Sequence, residues 1–561
     1  MSVIEETKNL LLKTKDFLIG SPWRGELTSA VDNLLYKVEQ PCELAVFGTV
    51  KAGKSTFINT LLEKDLAVVN VTEATATINY FKYAPDPKEN GKVIAVYNDG
   101  HTEIKDKAFL DSLQGNTPDV LERSREIDRL ELYIHDDVLR HITIVDTPGT
   151  HSVVEEHSRQ TGTYAAQAAR NEKASVNIKN KADAVILLIG MVGKAKDKEN
   201  VHDFATTSNP FNSIGIISKI DIDENMSLGD WQQRSATLGL TYRDGLHSVH
   251  PVSSGVYRTV KSLEQSGMLI ELYRLMQVIK GSEYPIEEIV GYIEEKRDSN
   301  NAPTSSIEAV RYDNSDEQEL SRIGLDYSVR LNIIKTLPVP SIRKRVLVEL
   351  YNHPYEISKK QLLDYSGFEE IKTILNQQFF DRSYAIRCHN VLQTLQELLS
   401  DIKRRRISEL ETMSKYRPYY LKIINQYNGP LGSYISERER IIDSFKCLID
   451  RETYSSSQIE ELSSAANDLL EEAQKITSSI DGTNNVSEGL LLLESNRKLF
   501  SEDEITELEL LFGKYPDRAD ELKEKYRPSK RFNVWKKRAE STTSSNIKRI
   551  SELARDAWSY K

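Results

Sequence analysis

The sequence predicts an α/β domain, built on a mostly parallel sheet with helices on both faces, followed by an elongated all-α helical bundle. Between about residues 43 and 255, short β-rich runs alternate with helical or loop segments, which is typical of a parallel sheet covered by helices. After about residue 258, helical periodicity replaces this pattern. With 561 residues the chain exceeds the size of one hydrophobic core, so we expect two or three domains.

The strands of the α/β segment are predicted from runs rich in β-branched and aromatic residues. These runs are Glu43–Phe47, Ala76–Tyr83, Lys92–Tyr97, Arg129–Ile134, His141–Val145, Ala184–Ile189, Ile214–Ser218 and Val249–Val252. Residues 1–39 predict two helices, and apolar stripes at 391–402 and 459–476 are typical of helices packed lengthwise. Polar breaks are predicted at Arg297–Ser306, Tyr427–Ser433 and Ser478–Ser487.

The overall composition limits the classes of partner and compartment. A formal net charge of −11 disfavours a nucleic-acid partner, and binding to an anionic membrane would need a local basic patch. The three cysteines lack the spacing of a disulfide framework or a zinc site. The N-terminus lacks the basic start and apolar block of a secretory signal, and the longest apolar run, Ala184–Val192, is far short of the ~20 residues that span a membrane. We therefore expect a cytoplasmic protein whose membrane contact is peripheral.

The run LAVFGTVKAGKSTFINTLLEKDL contains a phosphate-binding loop. Gly48, four residues, and then Gly53–Thr56 fit the pattern GxxxxGK[ST], with an apolar strand before it and a helix after it. The glycines let successive backbone N–H groups surround a phosphate at the positive end of the helix. Lys54 would bring its charge to the β- and γ-phosphates, and the hydroxyl of Ser55 is a hard ligand for Mg²⁺. This motif predicts a nucleoside triphosphatase and leaves the base open.

Two later boxes favour guanine as the base. The run IISKID resembles the [NT]KxD box of guanine-nucleotide-binding proteins, with Ser218 in the position of Asn or Thr. The carboxylate of Asp221 can accept from guanine N1–H and from the 2-amino group, a pair of donors that adenine lacks, and the stem of Lys219 can lie along the base. The run PVSSG then resembles the last box, where backbone N–H groups near Ser253 reach guanine O6.

The remaining boxes predict a magnesium site and the catalytic centre. In ITIVDTPGT, Asp146 would hold Mg²⁺ through water and the N–H of Gly149 would meet the γ-phosphate, although a TPG sequence is also typical of a simple turn. In NVTEATATINYFKY, one of Thr72, Thr75 and Thr77 would bind Mg²⁺ and help to position the attacking water; we choose Thr75, while any of the three could be an ordinary strand residue. The predicted ligands are GTP or GDP with Mg²⁺. The predicted catalytic residues are Lys54, Ser55, Thr75 and Gly149, and the predicted metal ligands are Ser55, Thr75 and Asp146.

Taken together, the boxes at about 40–255 are similar to those of the GTPase superfamily. The stretches GTVKAGKSTFINTLL and EATATINYFKY, with helices before and after the α/β segment, resemble bacterial dynamin-like proteins, the LeoA type in particular. The run Leu362–Leu395 resembles a stretch that follows the GTPase boxes in that group, which leaves open a late return of the chain to the GTPase domain.

The resemblance implies a domain organisation for the whole chain. It places a GTPase domain at 40–280, a linker or hinge at 281–312 and a helical neck and stalk at 313–561, with the helices of 1–39 packed on the neck or stalk. It also implies GTP hydrolysis coupled to self-assembly and membrane remodelling. Hydrolysis would be stimulated when two GTPase domains dimerise, either between copies of this chain or with a second dynamin-like protein.

Departures from the family pattern predict slow basal turnover. Eukaryotic dynamins carry a catalytic glutamine where this chain has Val50, followed by Lys51, and small GTPases carry one where it has Thr150. His151 could orient water or be an exposed loop histidine. Two other functions therefore stay open: a GTP-switched protein that recruits a partner, and an RNA- or ribosome-associated GTPase. The acidic net charge and the lack of an RNA-binding module weigh against the latter.

The site of membrane contact has two interpretations. The run YRPSKRFNVWKKR, Tyr526–Arg538, carries six basic residues, three aromatic residues and no acidic residue, which suits an anionic headgroup layer. The same composition fits a stalk helix with a solvated basic face and packed aromatic rings. A second basic cluster, Ile402–Ile407, is interpreted as exposed stalk surface.

Overall fold

The computed structural model describes most of the chain between residues 2 and 559. The described residues are 2–48, 52–63, 78–113, 126–147, 182–190, 212–223, 226–242, 246–282, 284–297, 303–304, 306–428, 454–515, 518, 520–542 and 545–559. The predicted breaks at Arg297–Ser306 and Tyr427–Ser433 fall largely outside these ranges.

A mixed β-sheet forms the centre of the α/β part. Its strands are β1 (Cys42–Gly48), β2 (Ile78–Tyr83), β3 (Val93–Tyr97), β4 (Thr102–Lys105), β5 (Ile127–Ile134), β6 (Ile142–Asp146), β7 (Ala184–Ile189), β8 (Ser213–Ser218) and β9 (Ser248–Val252). Within the described residues they form a nine-stranded sheet in the order β4-β3-β5-β2-β6-β1-β7-β8-β9. Each predicted strand coincides with an observed one. The sequence did not predict β4, whose residues are mostly exposed and therefore lack an apolar pattern.

The strand directions confirm the predicted α/β class. Strands β6, β1, β7, β8 and β9 all run parallel to one another. Antiparallel pairing is confined to β2 with β6, and to β3 with β4 and β5. Strands β6 and β7 are buried at every residue, as expected for strands covered on both faces. The carboxyl ends of the five parallel strands meet at one edge of the sheet, where open α/β sheets bind ligands.

The helices before and within the α/β part, up to residue 292, are short to medium in length. They are α1 (Val3–Ile19), α2 (Glu26–Glu39), α3 (Lys54–Leu61), α4 (Lys107–Ser112), α5 (Leu228–Thr241), α6 (Ser254–Gln265), α7 (Met268–Lys280) and α8 (Ile286–Tyr292). Helices α1 and α5 begin with capping boxes, in which the serine before the helix and an acidic residue three positions later satisfy each other's backbone N–H groups.

The rest of the described chain is helical. Its helices are α9 (Asn314–Arg322), α10 (Tyr327–Thr336), α11 (Pro340–Asn352), α12 (Tyr355–Ser366), α13 (Phe368–Leu375), α14 (Ser383–Asp401), α15 (Ile407–Asn428), α16 (Ser456–Asn496), α17 (Glu502–Leu511), α18 (Asp520–Lys525), α19 (Pro528–Ser541) and α20 (Ser545–Ser559). Among these, α16 and α17 also begin with capping boxes, in which Ser455 pairs with Gln458 and Ser501 with Glu504.

One compact unit comprises residues 41–383. Its core joins apolar residues of the sheet, such as Val185, with residues of the following helices, such as Leu263, Leu347 and Leu362. This unit differs from the expected domain boundaries, which ended the GTPase domain at residue 280 and placed a linker at 281–312. The helices from α8 to α12 belong to the same unit because their apolar faces are buried in the core that the sheet begins.

The other compact unit comprises residues 1–40 and 384–561. One of its cores brings together Leu10 and Val31 of the N-terminal helices with the apolar stripes of α14 and α16. The predicted break at Ser478–Ser487 is wrong, since α16 continues through it. Burial of Ile480 in this core accounts for the difference, because packing of an apolar face outweighs the poor helix propensity of Gly482.

A second core of this unit surrounds a buried carboxylate near the C-terminus. Glu507 accepts hydrogen bonds from both arms of the Arg531 guanidinium and from the indole N–H groups of Trp535 (2.9 Å) and Trp558 (3.0 Å). Trp535 is 0% exposed, and Arg538 pairs with Glu504. Much of the basic and aromatic run at Tyr526–Arg538 is therefore engaged in packing, which is the second of its two interpretations.

We expect Glu507→Ala to destabilise this core strongly. The substitution leaves a guanidinium and two indole N–H groups without their common acceptor in a buried site, which costs about 3–5 kcal/mol for a broken buried ion pair. Denaturant unfolding followed by tryptophan fluorescence measures it, since Trp535 and Trp558 lie in the core. The matched control is Glu521→Ala, which removes an exposed pair with Arg518 and should change stability little. If the two variants lost equal free energy of unfolding, the central role of Glu507 in this core would be contradicted.

Candidate functional site

The phosphate-binding loop leaves the sheet at the end of β1 and re-enters as α3. A Cβ on Gly48 would lie 3.0 Å from the carbonyl oxygen of Leu188 in β7, so the backbone approaches its neighbour too closely for a side chain. Gly53 has φ +86 and lies immediately before α3. Both glycines are therefore required by the backbone. Residues 49–51 between them, including Val50 and Lys51, lie outside the described residues.

Three of the predicted phosphate and metal residues come together at the start of α3 and the end of β6. The Lys54 Nζ donates to the carbonyl oxygen of Gly48 at 3.2 Å. The hydroxyl of Ser55 donates to Asp146 Oδ2 at 3.4 Å, a long hydrogen bond. The hydroxyl of Thr147 donates to the carbonyl oxygen of Val46 at 2.8 Å, which ties the end of β6 to β1.

Asp146 is an ionisable group in an apolar setting. Its side chain is almost fully buried, with 4% of the residue exposed. Burial raises the pKa of Asp146 to about 6, and the charge of Lys54 and the hydrogen bond from Ser55 oppose this rise. Within the described part of the chain, Asp146 Oδ1 has no hydrogen-bond partner. A buried carboxylate oxygen without a donor, next to a serine hydroxyl, fits a hard cation such as Mg²⁺.

The base-reading residues follow β8. The hydroxyl of Ser218 donates to the carbonyl oxygen of Ala52 at 2.6 Å, which links the end of β8 to the phosphate-binding loop. Lys219 has φ +59, a conformation that L-residues seldom adopt. Its stem passes over Gly53, where a Cβ would lie 3.3 Å from Lys219 Cε. The structure thus places this lysine along the phosphate-binding loop.

Asp221 is held by hydroxyl donors on both carboxylate oxygens. The residue is 7% exposed. Its Oδ1 accepts from the hydroxyl of Ser253 at 2.5 Å, and its Oδ2 accepts from the hydroxyl of Ser341 at 3.2 Å. The sequence predicted that backbone N–H groups near Ser253 reach the base. In the structure the Ser253 N–H donates to the carbonyl oxygen of Ser366 at 2.8 Å, and its side chain orients Asp221.

Sequence analysis missed the residues that reach this site from α11 and α12. Besides Ser341 and Ser366, the hydroxyl of Tyr365 donates to the carbonyl oxygen of Ile220 at 3.1 Å. These residues belong to no recognisable box. The only signal was the resemblance of Leu362–Leu395 to a stretch that follows the boxes in related proteins.

Helix α3 also packs on the returning helices. The ring of Phe57 lies 5.7 Å from that of Phe368 in α13, and Phe368 lies 4.7 Å from Tyr257. Just after α3, Glu63 has φ +47 and accepts hydrogen bonds from Lys372 and from the hydroxyl of Tyr257. The hydrogen bond from Lys372 lowers the pKa of Glu63. The residues that follow, 64–77, lie outside the described part of the chain.

Several predicted residues stay predictions because they fall outside the described ranges. These are Thr72, Thr75, Thr77, Gly149, Thr150 and His151. The described residues of the site are Gly48, Gly53, Lys54, Ser55, Thr56, Asp146, Ser218, Lys219, Asp221 and Ser253, and all of them lie along the carboxyl edge of the sheet.

Comparison with known proteins relates part of the chain to one family. Residues 44–210 match the model of the Dynamin family. The chain is 24% identical over 428 residues to the isoniazid-induced protein IniC of Mycobacterium tuberculosis H37Rv, across 71% of this chain and 76% of that protein.

Two solved structures are also similar to this chain. One is a member of an oligomerised bacterial dynamin pair, at 14% identity with a TM-score of 0.31, covering 90% of this chain and 94% of that one. The other is LeoA, a bacterial dynamin GTPase from ETEC, at 13% identity with a TM-score of 0.24, covering 89% of this chain and 72% of that one. None of the helices within the described residues is long and apolar enough to cross a bilayer.

We expect Asp146→Asn to stabilise the nucleotide-free protein. Because the folded state holds the proton of Asp146 more tightly than the unfolded chain, the ionised carboxylate destabilises the fold above pH 6, and this effect disappears as the pH falls towards 3.8. The rise in the pKa of Asp146 corresponds to a loss of about 3 kcal/mol at most in the free energy of unfolding. The gain in thermal midpoint should therefore be present at pH 7.5 and should shrink towards pH 4.

The same variant should lose the additional stabilisation that Mg²⁺ gives in the presence of GTP, because the carboxylate is the proposed anchor of the cation. Asp183→Asn is the matched control, since Asp183 is also buried but accepts from the backbone N–H of Glu43, away from the site. A variant at position 146 that is less stable than the parent at pH 7.5 would contradict this account.

Proposed function

We propose that this protein hydrolyses GTP in a Mg²⁺-dependent reaction that is coupled to self-assembly and to membrane remodelling. The observation that supports the nucleotide is the placement of two groups at one sheet edge. Lys54, Ser55 and Asp146 lie at the ends of β1 and β6, and Asp221 is oriented at the end of β8. Lys219 passes over Gly53 between the two groups. A single nucleotide bound along this edge would contact both groups of residues.

Each residue of the site has a proposed role. The N–H groups of the loop from Gly48 to Thr56 would bind the phosphates, with Lys54 supplying positive charge. Ser55, Thr75 and, through water, Asp146 would hold Mg²⁺, and Gly149 would contact the γ-phosphate. When bound, Mg²⁺ neutralises charge on the β- and γ-phosphates.

At the other end of the nucleotide, Asp221 would accept from guanine N1–H and from the 2-amino group, and Lys219 would cover the base. Ser218 would hold the base-reading turn against the phosphate-binding loop. The hydroxyl of Ser253 would keep the carboxylate of Asp221 in the orientation that both base donors need.

Basal hydrolysis is proposed to be slow. The chain carries Val50 and Thr150 at the two positions where related GTPases place a catalytic glutamine. Stimulation would come from dimerisation of GTPase domains, with a second copy or with a second dynamin-like protein. The same substitutions support a second candidate function, a GTP-switched protein that binds GTP tightly and recruits a partner.

Turnover should rise with both protein concentration and anionic liposomes if assembly on membranes drives hydrolysis. We expect a basal rate below ~1 per second, the lower end of ordinary enzyme turnover, and a cooperative increase on liposomes. The rate of GTP turnover is measured as phosphate release across a protein dilution series, with and without liposomes. The variant Lys54→Ala, which lacks the charge at the phosphate site, is the negative control for this rate.

Tight GTP binding without any stimulation would support the switch function instead, and stimulation by RNA would support an RNA-associated GTPase. A rate of ~1 per second or more in the dilute protein without liposomes would contradict slow basal turnover.

Lipid contact is proposed for the exposed side of α19. Trp535 is buried and Arg531 and Arg538 are paired, while Lys530, Lys536 and Lys537 are exposed. We expect Lys536→Glu with Lys537→Glu to reduce co-sedimentation with anionic vesicles, since each cation near such a surface contributes about 1 kcal/mol. Arg404→Glu with Arg405→Glu, in the exposed cluster at 402–407, is the charge-matched control. Unchanged sedimentation would exclude α19 as the contact.

A further inference from the structure

The base-reading carboxylate is oriented by two hydroxyl groups that come from distant parts of the chain. Ser253 belongs to the last box, but Ser341 lies at the second position of α11, far from any box in sequence. Each carboxylate oxygen can accept more than one hydrogen bond, so both hydroxyls leave room for a donor from a base. Without such hydrogen bonds, the χ2 angle of an aspartate side chain varies over a broad range. With both hydroxyls in place, the carboxylate of Asp221 is oriented before any ligand arrives.

The position of Ser341 is determined by close packing of α11 on the first turn of α6. A Cβ on Gly255 would lie 2.8 Å from Ile342 Cδ1, so the first turns of the two helices are in direct contact. Pro340 occupies the first position of the helix, where a backbone N–H would have no acceptor within the helix. The first turn of α11 consequently lies beside the carboxylate of Asp221.

Helices α12 and α13 support the same site from a second direction. The hydroxyl of Tyr365 donates to the carbonyl oxygen of Ile220, next to Asp221, and Arg345 of α11 lies 3.6 Å from the centre of the Tyr365 ring. Gly367, with φ +64, touches the strand end: a Cβ there would lie 2.3 Å from the carbonyl oxygen of Pro251. The loop that carries Ser253 is therefore held between β9 and the turn from α12 to α13.

We propose that Ser341 is a positioning residue for guanine recognition, and that α11 to α13 complete the base site by orienting Asp221. This inference rests on the proposed function, since it names how the proposed guanine contact is made selective. Because α11 to α13 are packed on both base-reading loops, the affinity for the base depends on these helices as well as on the boxes. The hydroxyl of Ser341 is the group through which these helices would affect the affinity for the base.

The test compares two bases that differ by one donor. Guanine offers N1–H and a 2-amino group to Asp221, whereas hypoxanthine offers N1–H alone. A well-oriented carboxylate discriminates between them, and a loosely oriented one discriminates less. We measure the dissociation constants of GDP and IDP for the full chain by calorimetry. In Ser341→Ala we expect GDP affinity to fall about three- to tenfold, within the range of one typical hydrogen bond, while IDP affinity falls less.

Conservative variants separate orientation of Asp221 from general destabilisation. Ser341→Thr keeps the hydroxyl and should restore the GDP preference, and Ser341→Cys, of similar size but a weak donor, should resemble the alanine variant. The matched control is Ser328→Ala. Ser328 lies in the first turn of α10 and donates to Asp326 at 2.6 Å, the same serine–aspartate pair outside the site. The ratio of the GDP and IDP dissociation constants of this control should equal that of the parent protein.

The outcomes distinguish this inference from the proposed function. If the parent protein binds neither GDP nor GTP, the proposed function is wrong and the inference falls with it. If the parent prefers GDP to IDP and Ser341→Ala keeps the same ratio, the proposed function stands and the inference is overturned. Equal losses of GDP and IDP affinity in Ser341→Ala would also overturn it, because they would indicate a structural role alone.

Discussion

Two carboxylates buried at the carboxyl edge of an apolar sheet are the constraint on which the site depends. A buried carboxylate loses its hydration and needs cations or hydrogen-bond donors in exchange. Asp221 receives serine hydroxyls on both oxygens. Asp146 receives a long hydrogen bond from Ser55 and the charge of Lys54, and one of its oxygens has no hydrogen-bond partner among the described residues. Asp221, the predicted base contact, is thus satisfied by the protein itself, whereas Asp146, the predicted metal ligand, has an oxygen available for a cation.

The sheet holds these two ends at a defined separation through contacts between strand ends. The hydroxyl of Thr147 ties β6 to the carbonyl oxygen of Val46 in β1, and the hydroxyl of Ser218 ties β8 to Ala52 in the phosphate-binding loop. Both bonds connect residues next to the functional side chains. Hydrogen bonds to backbone carbonyls of β1 and of the phosphate-binding loop therefore help to set the geometry of the site.

The helices that follow the last box belong to the same compact unit as the sheet. They bury apolar faces in its core, and their polar residues Ser341 and Tyr365 reach the turn that carries Asp221. Phe368 also contacts Phe57 of α3, and Lys372 contacts Glu63, just after that helix. Packing and polar contacts thus connect α11 to α13 with both groups of predicted site residues.

The sequence by itself predicted the α/β class and the strands other than β4, and it singled out the boxes between Gly48 and Ser253, whose roles stay predictions. These features depend on neighbours in sequence: a strand is recognised from its own apolar run, and a phosphate-binding loop from its glycines. The role of Ser341, the burial of Trp535 and the continuation of α16 through Gly482 were decided only by tertiary structure. Each depends on a partner far along the chain, and a local pattern carries no information about which distant surface will satisfy a hydroxyl, cover a ring or stabilise a poor helix former.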